Sequence, residues 1–406
     1  MSFDVLQEKI RAMKNPTVAG LDARIEYVPE HIRQAAYAQY GVGLKGACEA
    51  IYQFNVGLMD ALCDIVPAVK PQAAYYENLG WQGMEMLERT IRYAKSKGLF
   101  VIADIKRGDI GSTATAYAEG WLSGAGIEGQ QFKSFDADCV TLNGYMGSDS
   151  IKPFLEAAKA EDKCAFVLVK TSNPGSGELQ DVKTADGRTV YQVMGALNES
   201  IAAGTEGKYG FTMAGAVTGA TYPEQIRQLR ADLPHTFFLV PGYGAQGGTA
   251  ADVKYAFDAQ GHGAIVNSSR GIMCAWKKTG GDGHDFAQAA RNAAIAMRDD
   301  IAQAFRQDYM GKYRNSTANQ MLFLAAVNEY FRQLGEENVL DPEHDNTAQV
   351  DVESQRNAWI GAGKAEAADW DDGKVLATPF KRQVFLAGDV KILGTMADLR
   401  FVVTLM

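Results

Sequence analysis

The chain has 406 residues, 47% of them apolar and 22% charged, the composition of an ordinary globular protein with ample core. No uninterrupted apolar run approaches the roughly 20 residues of a membrane span, so a membrane protein is not expected. A formal net charge of −9 disfavours nonspecific nucleic-acid binding but leaves room for a local positive pocket.

Strand-like apolar runs recur along the first three quarters of the chain, at 17–22, 64–71, 99–106, 139–144, 165–172, 212–219, 236–243 and 263–269. Each is followed by a segment with helical periodicity. Eight such units predict an α/β fold, a closed (β/α)8 barrel of the triosephosphate isomerase type. The competing arrangement is an open doubly wound sheet; the count of eight and the lack of a G-x-G-x-x-G turn after the first strand favour closure. In such barrels chemistry sits at the carboxyl ends of the strands. The segments 107–133 and 173–211 are longer than simple connections need, and both are expected to cover the barrel mouth.

Residues 284–305 read as the closing helix. The pattern then changes: an amphipathic helix over 317–334, a loop from Leu340-Asp341-Pro342, and strand-like runs at 347–352, 384–388 and 398–405, the last two separated by Asp389 to Ala397. This is an α+β module outside the repeating pattern. With the boundary at about 306–311, the domains are 1–305 and 306–406. The N-terminus has no basic stretch leading into an apolar core, so no secretory signal is expected. Cys48, Cys63, Cys139, Cys164 and Cys274 are far apart and read as buried free thiols of a cytoplasmic protein. The histidines, at 31, 235, 262, 284 and 344, have no metal-ligand spacing.

The third strand ends in Asp-Ile-Lys-Arg-Gly-Asp, residues 104–109. Residues two apart on a strand share a face, so Asp104 and Lys106 point the same way and Ile105 the other. Asp109 follows on a turn that Gly108 permits, and two carboxylates around an ammonium would hold Lys106 charged and in place. Taken alone, Asp-x-Lys-x-x-Asp reads equally well as a surface ion-pair network. Two further segments suggest phosphate recognition: Pro241-Gly242-Tyr243-Gly244-Ala245-Gln246-Gly247-Gly248-Thr249 after strand seven, and Asn267-Ser268-Ser269-Arg270-Gly271-Ile272 closing strand eight. Glycines let backbone amides approach a phosphate, a helix beginning there favours its charge, and an arginine adds a bidentate contact.

The longer string Asp-Ile-Lys-Arg-Gly-Asp-Ile-Gly-Ser-Thr-Ala resembles the active-site motif of the orotidine 5′-phosphate decarboxylase family, in the subgroup with a long barrel, and the resemblance covers about residues 1–305. It implies a homodimeric enzyme of pyrimidine synthesis that turns orotidine 5′-monophosphate into uridine 5′-monophosphate with no cofactor and no metal. By the same resemblance, Lys70, Asp104, Lys106 and Asp109 form the catalytic Lys-Asp-Lys-Asp network. Asp22 binds the ribose, with a helix N-cap as its plain structural alternative. Ile110 contacts substrate, and Thr113 reaches the ribose of the neighbouring subunit, again with a helix cap as the alternative. Ser172, in Thr171-Ser172-Asn173-Pro174-Gly175-Ser176, reads the pyrimidine, although the segment alone reads as an ordinary turn. Gln246 and Arg270 hold the phosphate. The nearest competing enzymes are the sugar-phosphate decarboxylases and aldol-type synthases, which share Asp-x-Lys-x-x-Asp but use magnesium on an acid at the end of strand two. That position is Lys70 here, and a cation there repels a metal.

Residues from about 309 onward resemble the C-terminal domain of contractile phage tail sheath proteins. The pieces that carry this are Met310-Gly311-Lys312-Tyr313-Arg314-Asn315, the helix through Ala325, Val327, Asn328, Tyr330 and Phe331, Val339-Leu340-Asp341-Pro342, Asp351-Val352-Glu353-Ser354-Gln355-Arg356, and the ending from Val384 to Leu405. The alternation in the last strand suits pairing with a neighbour's sheet, which would allow sheath-like self-assembly. A plain additional α+β domain is the alternative. The chain thus reads as a fusion, and a second class of function stays open in which assembly is the role and the barrel is a passenger.

Overall fold

The computed structural model describes residues 2–22, 24–312, 316–336, 339–381, 383–391 and 399–404. Contacts divide the chain into two compact units, Met1–Phe305 and Arg306–Met406.

In the first unit eight strands close into a barrel. They are β1 (Thr17–Leu21), β2 (Ala68–Pro71), β3 (Phe100–Arg107), β4 (Cys139–Leu142), β5 (Cys164–Lys170), β6 (Ala214–Thr218), β7 (Phe238–Val240) and β8 (Ala264–Ser268). The strands follow in order around the barrel, every pair is parallel, and β1 closes the ring by pairing Val18 with Asn267 of β8 and with Ala68 of β2. Helices cover the outside, so both faces of the strands are buried; this is why they read as apolar runs rather than alternating patterns. The run at 64–71 is only half strand. Ile65 and Val66 belong to the turn that ends helix Leu44–Leu62, both donating to the Leu62 carbonyl, and hydropathy alone does not separate a buried turn from a strand.

Phe3, Leu6 and Ile10 of the helix Ser2–Met13 pack with Phe100, Phe166, Phe237 and Ile265 inside the amino-terminal end of the barrel. Phe3 stacks on Phe237 at 4.8 Å, and Gln7 Oε1 accepts from the Gly263 amide just before β8. Apolar side chains fill that end as a packed core, which leaves the carboxyl end free for a cavity.

The two long connections behave differently. Within 107–133, helix Gly111–Ala118 leads to a hairpin of Ala125–Ile127 and Gln130–Phe132. Lys133 beyond it pairs with Glu161 and Asp136, beside the amino-terminal starts of β4 and β5, so the hairpin lies away from the mouth, contrary to the expectation for 107–133. The reason is the helix: it carries the chain down the outside of the barrel before the extra residues occur. The segment after β5 does line the mouth, through Leu179, Gln180, Val190 and Tyr191.

The last helix of the barrel pattern runs Phe286–Lys312, past the end expected at 305, and the division between the units falls inside it. The second unit holds helix Thr317–Glu336 and a three-stranded antiparallel sheet of β9 (Thr347–Val350), β10 (Phe385–Val390) and β11 (Leu399–Thr404), in that order. Asn328 ties the helix to β9 by exchanging hydrogen bonds with the Ala348 backbone. A helix over Val352–Gly361, not foreseen from the sequence, is capped by Asp351, which accepts from the Ser354 amide. Trp359 meets Phe380 edge to face at 5.0 Å, beside a small core of Ala367, Trp370 and Val375. Tyr313-Arg314-Asn315, most of the 389–397 connection, Asp398 and Leu405 lie outside the described residues.

Candidate active site

A cavity of about 800 Å³ opens at the carboxyl ends of the barrel strands. Asp22 after β1, Lys70 of β2, Asp104 and Lys106 of β3, Ser172 after β5 and Gln246 after β7 all line it.

Asp104 is the centre of the polar wall. Its Oδ2 accepts from Lys70 Nζ at 2.6 Å and from Gln72 Nε2 at 3.1 Å; its Oδ1 accepts from Lys106 Nζ at 2.5 Å and from Thr141 Oγ1 at 2.9 Å. Burial raises the cost of its charge, but Lys70 and Lys106 outweigh that and hold the carboxyl well below the usual carboxylate range. Burial likewise works against the Lys70 ammonium, and Asp104 with Asp22 more than offsets it, so the Lys70 pKa is raised. The three groups are therefore a fixed alternation of charge. The two ends differ in access: the Lys70 side chain is 5% exposed and that of Lys106 is 43% exposed.

Strand alternation puts Asp104 and Lys106 on the cavity side and buries Ile105 in the outer layer, as expected. The backbone is not a plain strand. Lys106 has φ 48° and its N–H donates to Thr141 Oγ1, while the register with β4 slips between Ala103 and Arg107. A non-glycine residue in the left-handed region is costly, and here the strained residue is the one that carries the exposed ammonium. Gly108 is needed for a different reason from the one given by the sequence: its φ is not positive, but a Cβ there would lie 2.5 Å from the Asn143 carbonyl oxygen.

Asp109 does not join the array within one chain. Its Oδ1 accepts from the Ile110 amide, and no ion pair links it to Lys106 among the described residues. Ile110 is 55% exposed, and Thr113 is exposed on the first turn of helix Gly111–Ala118. Neither helix-cap alternative is realised: Ile110 occupies the N-cap of that helix without a side-chain bond, and Arg24 that of the short turn after Asp22.

The two phosphate-type segments meet. Arg270 Nη2 donates to the Ala245 carbonyl, joining the end of β8 to the loop after β7. Gly242, Gly244 and Gly247 all have positive φ, so this loop requires glycine. The helix that begins at Arg270 spans only Arg270–Met273, too short to supply the dipole expected from the sequence. Loop amides and the guanidinium are the donors left there that could meet an anion.

Sequence reasoning missed Gln72 and Thr141, both bonded to Asp104. Gln72 follows Lys70 by two in Lys-Pro-Gln, the same alternation that singled out Lys106, and Thr141 is a polar residue in an otherwise apolar strand beside β3. Among the described residues no three His, Cys, Asp or Glu side chains are grouped to hold a metal ion, and no helix is long and apolar enough to cross a membrane.

The model of the orotidine 5′-phosphate decarboxylase / HUMPS family matches residues 54–279, more than half of the chain. The chain belongs to this family. An orotidine 5′-phosphate decarboxylase of Rhodopirellula baltica is 44% identical over 290 residues, 70% of this chain and 93% of that protein. One of Clostridium tetani is 41% identical over 305 residues, 75% of this chain and 99% of that protein. The solved Leishmania donovani OMP decarboxylase matches with a TM-score of 0.53 and 31% identity, covering 73% of this chain and 99% of that one. A model of the phage tail sheath C-terminal domain matches residues 288–395, beginning inside helix Phe286–Lys312. The barrel of an orotidine 5′-phosphate decarboxylase family member is thus followed, within one continuous helix, by a sheath-type segment.

Proposed function

We propose that the chain decarboxylates orotidine 5′-monophosphate to uridine 5′-monophosphate without a metal or organic cofactor, as a cytoplasmic step of pyrimidine synthesis. The observation that carries this reading is the Asp104 carboxylate held between the Lys70 and Lys106 ammonium groups on the cavity wall.

Loss of CO2 from C6 leaves an electron pair on a carbon with little resonance help, so fixed positive charge must stabilise it. Lys106, paired with Asp104 and open to the cavity, supplies that charge and then donates its Nζ proton to C6. Asp104 beside the substrate carboxylate would also raise the energy of the ground state. Asp22 holds the ribose, Lys70 backs the Asp104 carboxylate, Ser172 reads the imide edge of the ring, and Gln246, Arg270 and the glycine-loop amides take the phosphate. Binding energy at the phosphate positions a ring whose reacting bond is remote from it.

A homodimer completes the site, with Asp109, Ile110 and Thr113 of one subunit reaching the pocket of the other. What supports this is that Asp109 Oδ1 accepts from its neighbouring amide with no ion pair to Lys106 among the described residues, while Ile110, Thr113, Tyr145 and Met146 are exposed on the segments after β3 and β4. The C-terminal unit is assigned sheath-like self-association, on its family match and its antiparallel sheet. The reading in which assembly is the only role and the barrel a passenger is not favoured, because the barrel keeps the Lys70–Asp104–Lys106 part of the charged array on its cavity wall. Conversion of orotidine 5′-monophosphate by the purified chain, before and after chelation, tests the proposal. The rate should be unchanged by chelator; loss of activity that magnesium restores would support the sugar-phosphate reading instead.

A further inference from the structure

We propose that Lys170, a buried lysine outside the cavity, is a positioning residue that fixes the ring-reading segment after β5; this rests on the reading of Ser172 as the pyrimidine contact. Lys170 ends β5 and is 1% exposed, yet the residues on either side of it, Val169 and Thr171, line the cavity. Its Nζ donates to Asp181 Oδ1 at 2.8 Å and to Ser176 Oγ at 3.2 Å, and sits 4.4 Å from the centre of the Tyr222 ring. Ser176 Oγ in turn donates to Tyr222 Oη at 3.3 Å, and that hydroxyl donates to the Asn173 carbonyl. One ammonium therefore gathers the middle and the far end of the 171–181 segment and the end of the short loop after β6.

Ser172 is held where this network closes. Its carbonyl accepts from Thr221 Oγ1, and its backbone lies so near Gly219 that a Cβ there would come within 2.7 Å. The Gly219 amide donates to the Lys170 carbonyl at 2.7 Å. Gln180 closes the other side, accepting from the Thr171 amide and donating to Thr171 Oγ1. A buried ammonium with one carboxylate partner is a costly way to fill a core position, and an apolar side chain of similar size would fill it at less cost. What the ammonium adds is direction: its donors point at one carboxylate and one hydroxyl of the segment after Ser172 and at the Tyr222 ring, with the Tyr191 ring farther off at 5.7 Å. Lys170 reaches the substrate only through Ser172 and its neighbours.

The test compares Lys170→Met and Asp181→Asn with Ser172→Ala in the full-length chain, measuring steady-state kinetics and the affinities for uridine 5′-monophosphate and ribose 5-phosphate. The second ligand lacks the ring and reports the phosphate and ribose contacts alone. Lys170→Met and Asp181→Asn should each weaken uridine 5′-monophosphate binding by about tenfold or more, with ribose 5-phosphate affinity unchanged. Combined with Ser172→Ala, either should add little, because the same contact is already lost. If Ser172→Ala weakens nucleotide binding and the other two variants do not, Lys170 serves stability only and the inference fails. If Ser172→Ala itself leaves the two ligands equally bound, the reading of Ser172 fails first, and the inference with it. Asp181 is 41% exposed, so Asp181→Asn decides the matter should Lys170→Met not fold.

Discussion

Lys106 Nζ lies 2.5 Å from Asp104 Oδ1 on a residue whose own φ is 48°. The ion pair and the strained backbone occur at the same place because a regular strand would carry the next side chain onward along β3. The register slip between Ala103 and Arg107 turns the lysine back over the carboxylate.

Removing that ammonium separates chemistry from binding. Lys106→Ala should lower kcat by at least about 10³-fold, since both a proton donor and a stabilising charge are lost. Affinity for uridine 5′-monophosphate should be retained. Arg270→Ala should instead raise KM by about 10- to 100-fold with a smaller change in kcat. Steady-state kinetics and product titration check both, and similar behaviour of the two variants would contradict the division of roles.

The array should be worth more to catalysis than to stability. Asp104→Ala leaves the buried Lys70 ammonium without its carboxylate and should cost about 3–5 kcal/mol, read from urea unfolding. Lys70→Met combined with Asp104→Leu removes both charges and should be markedly less destabilising than Asp104→Ala, while remaining inactive. A double variant as unstable as the single one would mean that the ion pair itself holds the barrel together.

Protonation follows from the directions of the shifts. The Asp104 carboxyl is depressed in the folded chain, so its contribution to stability is fully present above the unfolded value of about 4 and is lost as pH falls through the lower folded value. The Lys70 pKa is raised, so its contribution is present below about 10.4 and lost only as pH rises through the folded value. Between about pH 5 and 9 neither group changes charge. The stability difference between the native chain and Asp104→Asn should therefore be flat across that window and shrink in acid, as measured by unfolding at pH 7 and pH 3.

Subunit mixing tests the shared site. Lys106→Ala and Asp109→Ala subunits are each inactive on this account, yet a mixed dimer places both defects in one pocket and leaves the other intact. Activity should return after subunit exchange. No recovery after exchange has been verified would mean that each pocket is built from one chain.

The tail should be dispensable for turnover. The Clostridium tetani relative is covered to 99% by a match of 305 residues, and every proposed site residue lies between Asp22 and Arg270. The helix Phe286–Lys312 crosses the division between the units, so the cut belongs at 312 rather than inside it. A chain ending there should keep its kcat and lose higher-order association seen by negative-stain imaging. Loss of activity on this truncation would contradict the two-module account.

The barrel was legible because parallel strands covered on both faces leave eight apolar runs, and simple alternation picked out Asp104 and Lys106 as cavity residues even though the backbone at Lys106 departs from a plain strand. What the sequence did not carry were features decided by tertiary packing. The place of the 125–132 hairpin depends on the length and direction of the helix before it. The φ of Lys106 depends on β4, where Thr141 receives its amide. Gln72, just past the end of β2, and Thr141, on β4, reach Asp104 from the sides of the two strands that flank β3, and only the pairing of those neighbours brings them there. Lys170 was hidden for the same reason: its partners Ser176, Asp181 and Tyr222 converge only once the loops after β5 and β6 are in place.

The central claim is that the Lys70–Asp104–Lys106 array drives decarboxylation of orotidine 5′-monophosphate. A single-turnover experiment on the full chain, following conversion to uridine 5′-monophosphate in native protein and in Lys106→Ala, tests it most directly. The account predicts rapid conversion by the native chain and none above background by the variant, with nucleotide bound in both. Conversion by Lys106→Ala at a rate near that of the native chain, or no conversion by a native chain that binds the nucleotide, would contradict it.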